Sequence, residues 1–141
     1  DSMVLLQAAF SHHGFAPLSG GRPQGIFRRA VAVPKVSGPI FVTHTANDRA
    51  VGLAYPIASR IASQRAQSLG GPDDIYGGLG RNGARDTPEA IFGTLQPVGV
   101  PYQLAAGRRI HNLLADDFIS GHSDIKGREV AHVLLSAIAL A

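Results

Sequence analysis

The sequence predicts an α/β fold built on a parallel sheet, and three observations carry that prediction. Met3 to Phe10 is apolar on both faces apart from Gln7, the pattern of a strand covered on both sides. Pro39 to Thr45 is a second apolar run that ends in a polar turn and leads into an amphipathic helix. The order strand, loop, strand, helix, irregular insertion, strand, helix is the alternation that right-handed crossovers in a parallel sheet produce.

The first strand is left through Ser11-His12-His13-Gly14-Phe15. Pro17, Gly20, Gly21, Pro23 and Gly25 make residues 17–25 a loop. Ile26 to Val33 reads as a short helix or an extended piece, ended by Pro34. The helix after the second strand is expected over about Leu53 to Leu69. Leu53, Ile57 and Ile61 recur at spacing four beside Ala58, Ala62 and Ala66, and make one apolar stripe. Pro56 falls in the first turn, where its missing N–H does no harm, and Gly70-Gly71-Pro72 stops the helix.

Residues 71–103 read as an irregular insertion, with Gly77, Gly78, Gly80 and Gly83 making most of it a loop. Thr87-Pro88-Glu89 signals the start of a short helix, which Gly93 and Pro97 would end. The third strand is placed at Ile110 to Leu114 or at Phe118-Ile119. The closing helix covers about Arg128 to Leu140, with Val130, Val133, Leu134, Ala137 and Ile138 as its buried stripe.

With 141 residues, residues 1–141 form one domain or part of one. At 45% hydrophobic and 16% charged the chain suits a packed core rather than disorder. No apolar run reaches the roughly 18 residues that span a bilayer. The chain has no cysteine and no basic-then-apolar leader, so the expected location is the cytoplasm. The net charge of +3 is scattered, with only Arg28-Arg29 and Arg108-Arg109 adjacent. Without a concentrated basic face or tryptophan, neither nucleic acid nor membrane is an expected partner.

The sharpest constellation is Asp48 with His122. Each follows a strand and precedes a helix, so in a parallel sheet both lie beyond the carboxyl edge, where such folds place their chemistry. A carboxylate holds an imidazole in one tautomer and stabilises it when it gains a proton, and the imidazole then serves as general base toward a hydroxyl. The plainer possibility is that Asp48 only caps the following helix and His122 is a loop residue. Ser11, His12 and His13 follow the first strand and belong to the same edge, as pocket-lining or solvated residues. His44, at the end of an apolar strand, reads as a core histidine.

The stretch Thr43-His44-Thr45-Ala46-Asn47-Asp48-Arg49-Ala50-Val51 resembles the acid segment of α/β-hydrolases, an apolar strand ending in G-x-x-D-x-x-V. Thr45 stands in place of the glycine, and Asp48 and Val51 match. Gly121-His122-Ser123-Asp124 before a helix is similar to that family's histidine segment. The chain order, acid before histidine, is also the family's. The separation of the two is longer than usual, which makes residues 71–103 an insertion. The resemblance implies a three-layer, parallel-sheet fragment, the carboxyl-terminal portion of such a fold. It implies an ester or acyl substrate, with Asp48 as acid and His122 as base. No G-x-S-x-G is present. The nucleophile is therefore expected upstream of residue 1, and the chain alone is expected to be inactive.

Other motifs carry less. Gly121-His122-Ser123 mimics the start of a nucleophile elbow, but Ile125 replaces its second glycine. Gly78-Leu79-Gly80-Arg81-Asn82-Gly83 matches G-x-G-x-x-G, yet lacks the strand before it and the long helix after it, and reads as a flexible loop. No H-x-x-x-H or H-E-x-x-H pair exists, so neither metal nor cofactor is expected. Three strands leave bare edges, for which the missing amino-terminal segment or self-association is the expected cover. The alternatives in function are a small non-catalytic α/β domain that binds a ligand or partner, and a pseudoenzyme.

Overall fold

A computed structural model describes residues 1–33, 36–55 and 76–141. Along the chain lie β1 (Met3–Leu6), α1 (Arg29–Ala32), β2 (Ile40–His44), a π-helical turn (Ala50–Ala54), α2 (Leu79–Asn82), β3 (Ala90–Thr94), β4 (Ile110–Leu114) and α3 (Arg128–Ala139). The strands form one sheet in the order β1-β2-β4-β3, and every pairing is parallel. Leu6 pairs with Thr43, and His44 and Thr94 both pair with Leu114, so the four strands end together along one edge.

Two apolar layers hold the sheet. Ile40, Val42 and Ile110 point to one face, where Phe15, Val31, Leu79 and Ala84 cover them. Phe41 and Leu113 point to the other, under Tyr102, Ile119 and the α3 residues Val130, Val133 and Ala137. All five residues of β2 are buried, as a central parallel strand requires. Arg28 binds Glu89 in a two-pronged ion pair, both bonds 2.6 Å, and ties the start of α1 to the start of β3. That hydrogen bonding holds the Glu89 carboxyl below its ordinary range.

Among the described residues the sheet has four strands where the sequence predicts three. The helix signal at Thr87-Pro88-Glu89 is overridden. The Thr87 hydroxyl donates back to the Arg85 carbonyl at 3.0 Å, and Ala90-Ile91-Phe92 pairs with β4 instead. β4 is Ile110–Leu114, the first of the two positions considered. The segment read as a flexible G-x-G-x-x-G loop contains α2, with Leu79, Gly80 and Asn82 buried.

The predicted helix over Leu53 to Leu69 lies mostly outside the described residues. Its described beginning is the π-helical turn, in which Val51 is buried and Leu53 is 41% exposed. The wider winding of a π turn sets a different phase from a 3.6-residue stripe. The α3 stripe is narrower than predicted. Val130, Val133 and Ala137 are buried, whereas Leu134 and Ile138 are 40% and 70% exposed, one step round the helix from the sheet. No helix among the described residues is long and apolar enough to cross a membrane.

Candidate functional site

The turn after β2 is set by Thr45. Its hydroxyl donates to Asp116 Oδ1 at 2.6 Å and accepts the Asn47 N–H at 3.0 Å. A glycine there would supply neither bond. Asp116 Oδ1 also accepts the Ala46 N–H at 2.9 Å, and Asn47 Nδ2 donates to the carbonyls of Asp116 and Ile119. The turn after β2 is thus fastened to the turn after β4.

From that frame Asp48 points inward and is completely buried. Its Oδ1 accepts the Val51 N–H at 2.9 Å, which starts the π-helical turn. Its Oδ2 meets His122 Nδ1 at 2.9 Å. Asp48 therefore caps the turn and holds the imidazole, with a different oxygen for each. A carboxylate only accepts, so Nδ1 is the donor and Nε2 is left as the basic nitrogen. The His122 side chain is 41% exposed. The pair thus has a dry acid and a ring open to an incoming group.

The turn bearing His122 is organised by Asp124. Its Oδ2 accepts the Ser120 N–H at 2.9 Å and the Ser120 hydroxyl at 2.7 Å. Those two bonds, the backbone one first, lower the Asp124 carboxyl below its ordinary pKa. Ser123 is exposed on this turn, well past the end of β4.

α2 packs against the back of the site. Gly80 donates its N–H to the Ala8 carbonyl at 2.9 Å, and its own carbonyl accepts the Thr45 N–H at 3.0 Å. A β-carbon at Gly80 would stand 2.5 Å from the Gln7 carbonyl carbon, so only glycine allows this approach. A β-carbon at Gly78 would stand 2.1 Å from Val51 Cγ1. Gly80 and Gly78 of the G-x-G-x-x-G stretch thus admit close packing against the end of β1 and the acid turn.

The residues after β1 divide. Ser11 forms a bridge with Gly78, and its hydroxyl accepts the His13 N–H. His12 is fully buried, with Nδ1 3.0 Å from Asn82 Nδ2. His13 lies 3.3 Å from Asp86, which also binds Arg22 at 2.6 Å. Burial, followed by the Arg22 charge, lowers the His13 pKa. None of the three lines the cavity between β3 and β4 or the one beside residues 84–90. His44 is buried edge-on against Phe92, and its burial lowers its pKa. Among the described residues no group of three or more potential metal ligands comes together.

Two residues at the site carry no motif. Asp116 reads from sequence as an interruption of a strand, yet it clamps the acid turn. Gln7 is 1% exposed. The signal for it is its place as the single polar residue in the Met3 to Phe10 run.

Fold and site together define a small α/β protein with a four-stranded parallel sheet and a buried-aspartate–histidine pair at its carboxyl edge. No protein-family model matches the chain, and no curated protein or solved structure does.

Proposed function

We infer that this chain carries the acid and the histidine of a serine-hydrolase-type triad acting on an ester or related acyl substrate. The nucleophilic hydroxyl comes from a segment outside these 141 residues. One observation carries the reading: the 2.9 Å bond from His122 to a fully buried Asp48, made across two turns at the carboxyl edge of a parallel sheet. The order of acid and histidine in the chain agrees with it. The sequence holds no G-x-S-x-G, so the nucleophile is taken from another segment. Asp48 keeps the ring in the Nδ1–H tautomer. Nε2 takes the proton of the attacking hydroxyl and passes it to the leaving group.

The test is made on a longer product that carries the preceding reading frame. A serine-reactive phosphonate labels that product on a serine before residue 1 and leaves the purified 141-residue chain unlabelled. Hydrolysis of p-nitrophenyl acyl esters by the longer product falls about 10²–10⁴-fold in His122→Ala, the usual worth of a general base. Labelling of the short chain, or an unchanged rate in His122→Ala, overturns the reading.

A second reading, a non-catalytic ligand-binding domain, is favoured by one feature. A cavity of about 320 Å³ lies between β3, β4 and the loop after β3, with Tyr102 and His111 among its walls and neither Asp48 nor His122. That volume is in the range of small-molecule pockets, roughly 300–1,000 Å³.

A further inference from the structure

Gln7 stands at the carboxyl end of β1 with φ +45°, one of two non-glycine residues of positive φ among the described residues. That conformation is costly for an ordinary side chain and persists only where the surroundings enforce it. Here the Gln7 N–H donates to the Thr43 hydroxyl at 3.2 Å, and the backbone is pressed from behind by Gly80. The buried side chain is thereby turned toward the acid turn. One end of its amide faces only acceptors, the Gly80 carbonyl at 2.6 Å and Asp48 Oδ2 at 3.2 Å, so that end is the NH2 group.

We propose that Gln7 is a positioning residue for the Asp48–His122 pair, its side-chain NH2 group anchored on the Gly80 carbonyl and donating to the Asp48 oxygen that also accepts from the imidazole. The proposal rests on the reading of Asp48 and His122 as a working pair. Asp48 Oδ2 then accepts two donors, His122 Nδ1 and Gln7 Nε2, while Oδ1 accepts the Val51 N–H. Three donors from three separate segments fix both oxygens, and the carboxylate cannot rotate without abandoning one. The two Gln7 NH2 hydrogens are both used, so the amide is itself locked. Gln7 does not touch a reacting group; it acts through Asp48.

The experiment is proton and nitrogen NMR of the chain with labelled histidine and glutamine. Wild-type protein shows a downfield His122 Nδ1–H resonance that Asp48→Asn abolishes, and Asp48→Asn also moves the Gln7 NH2 signals. Gln7→Leu, which keeps the volume and removes the donor, speeds solvent exchange of His122 Nδ1–H by about two- to tenfold, the factor one hydrogen bond of ordinary net strength supplies. Gln7→Gly, which suits the positive φ, does the same and covers the case in which the leucine variant does not fold. If Asp48→Asn abolishes the His122 signal while both Gln7 variants leave its exchange unchanged, the proposal is overturned and the pair stands. If the His122 signal is indifferent to Asp48→Asn, the pair itself is wrong and the role of Gln7 falls with it.

Discussion

Gly80→Ala tests how the site is braced. A β-carbon at this position stands 2.5 Å from the Gln7 carbonyl carbon, 2.8 Å from Gln7 Cα and 2.9 Å from the Ala8 nitrogen. All three are backbone atoms, so no rotamer change relieves the contact. Overpacking of this kind costs about 1–3 kcal/mol. If α2 retreats instead, it gives up the Gly80 N–H to Ala8 and Thr45 N–H to Gly80 bonds, each worth about 0.5–1.5 kcal/mol net. Against this, alanine is favoured over glycine in a helix by about 1 kcal/mol. By either route the net expectation is a loss of about 1 kcal/mol, and at most about 2, the clash outweighing the propensity. Urea unfolding followed by circular dichroism reads it as a midpoint lowered by about 0.5 M, for a slope of about 2 kcal/mol/M. A midpoint equal to or above that of the parent chain would refute the close approach of α2 to β1.

Three further outcomes are expected. Asp116→Ala removes the acceptor for Thr45 Oγ1 and the Ala46 N–H, and should cost about 1–3 kcal/mol in the same unfolding assay, with exchange of the Ala46 amide accelerated. Burial lowers the pKa of both His44 and His111, so the unfolded chain takes up protons first as pH falls below the ordinary histidine value; stability present above about pH 6.5 is lost through the window beneath it. His111→Phe, which keeps a ring against Phe41, should flatten that acid limb in pH-dependent thermal melts, and an unchanged slope would remove His111 as a cause. β1 and β3 are the sheet's outer strands, and Ile91 and Phe92 of β3 are exposed; light scattering of the purified chain should show self-association, and a clean monomer would contradict it.

The parallel sheet was legible because β1 and β2 are apolar runs, and cover on both faces leaves that mark in sequence. β3 was not legible. Ala90-Ile91-Phe92-Gly93-Thr94 is short, contains glycine and comes after a strong helix-start signal, and only pairing with β4 decides its state. The phase of the turn after Asp48 was lost for a related reason, since Oδ1 of Asp48 seeds a π turn rather than an α turn. Asp48 and His122 could be named because each sits in a polar turn between a strand and a helix. Their support could not be named. Gln7, Asp116 and Gly80 act through a positive φ, a clamp spanning two turns and a missing β-carbon, and none of these has a spacing to read.

Asp48 and His122 form one unit, with Nδ1 donating to the buried carboxylate. The most direct measurement is nitrogen NMR of labelled His122 near neutral pH in wild-type chain and in Asp48→Ala. A protonated Nδ1 and a bare Nε2 are expected in the wild type, with a mixture of tautomers once the carboxylate is removed. The same tautomer pattern in both proteins would contradict it.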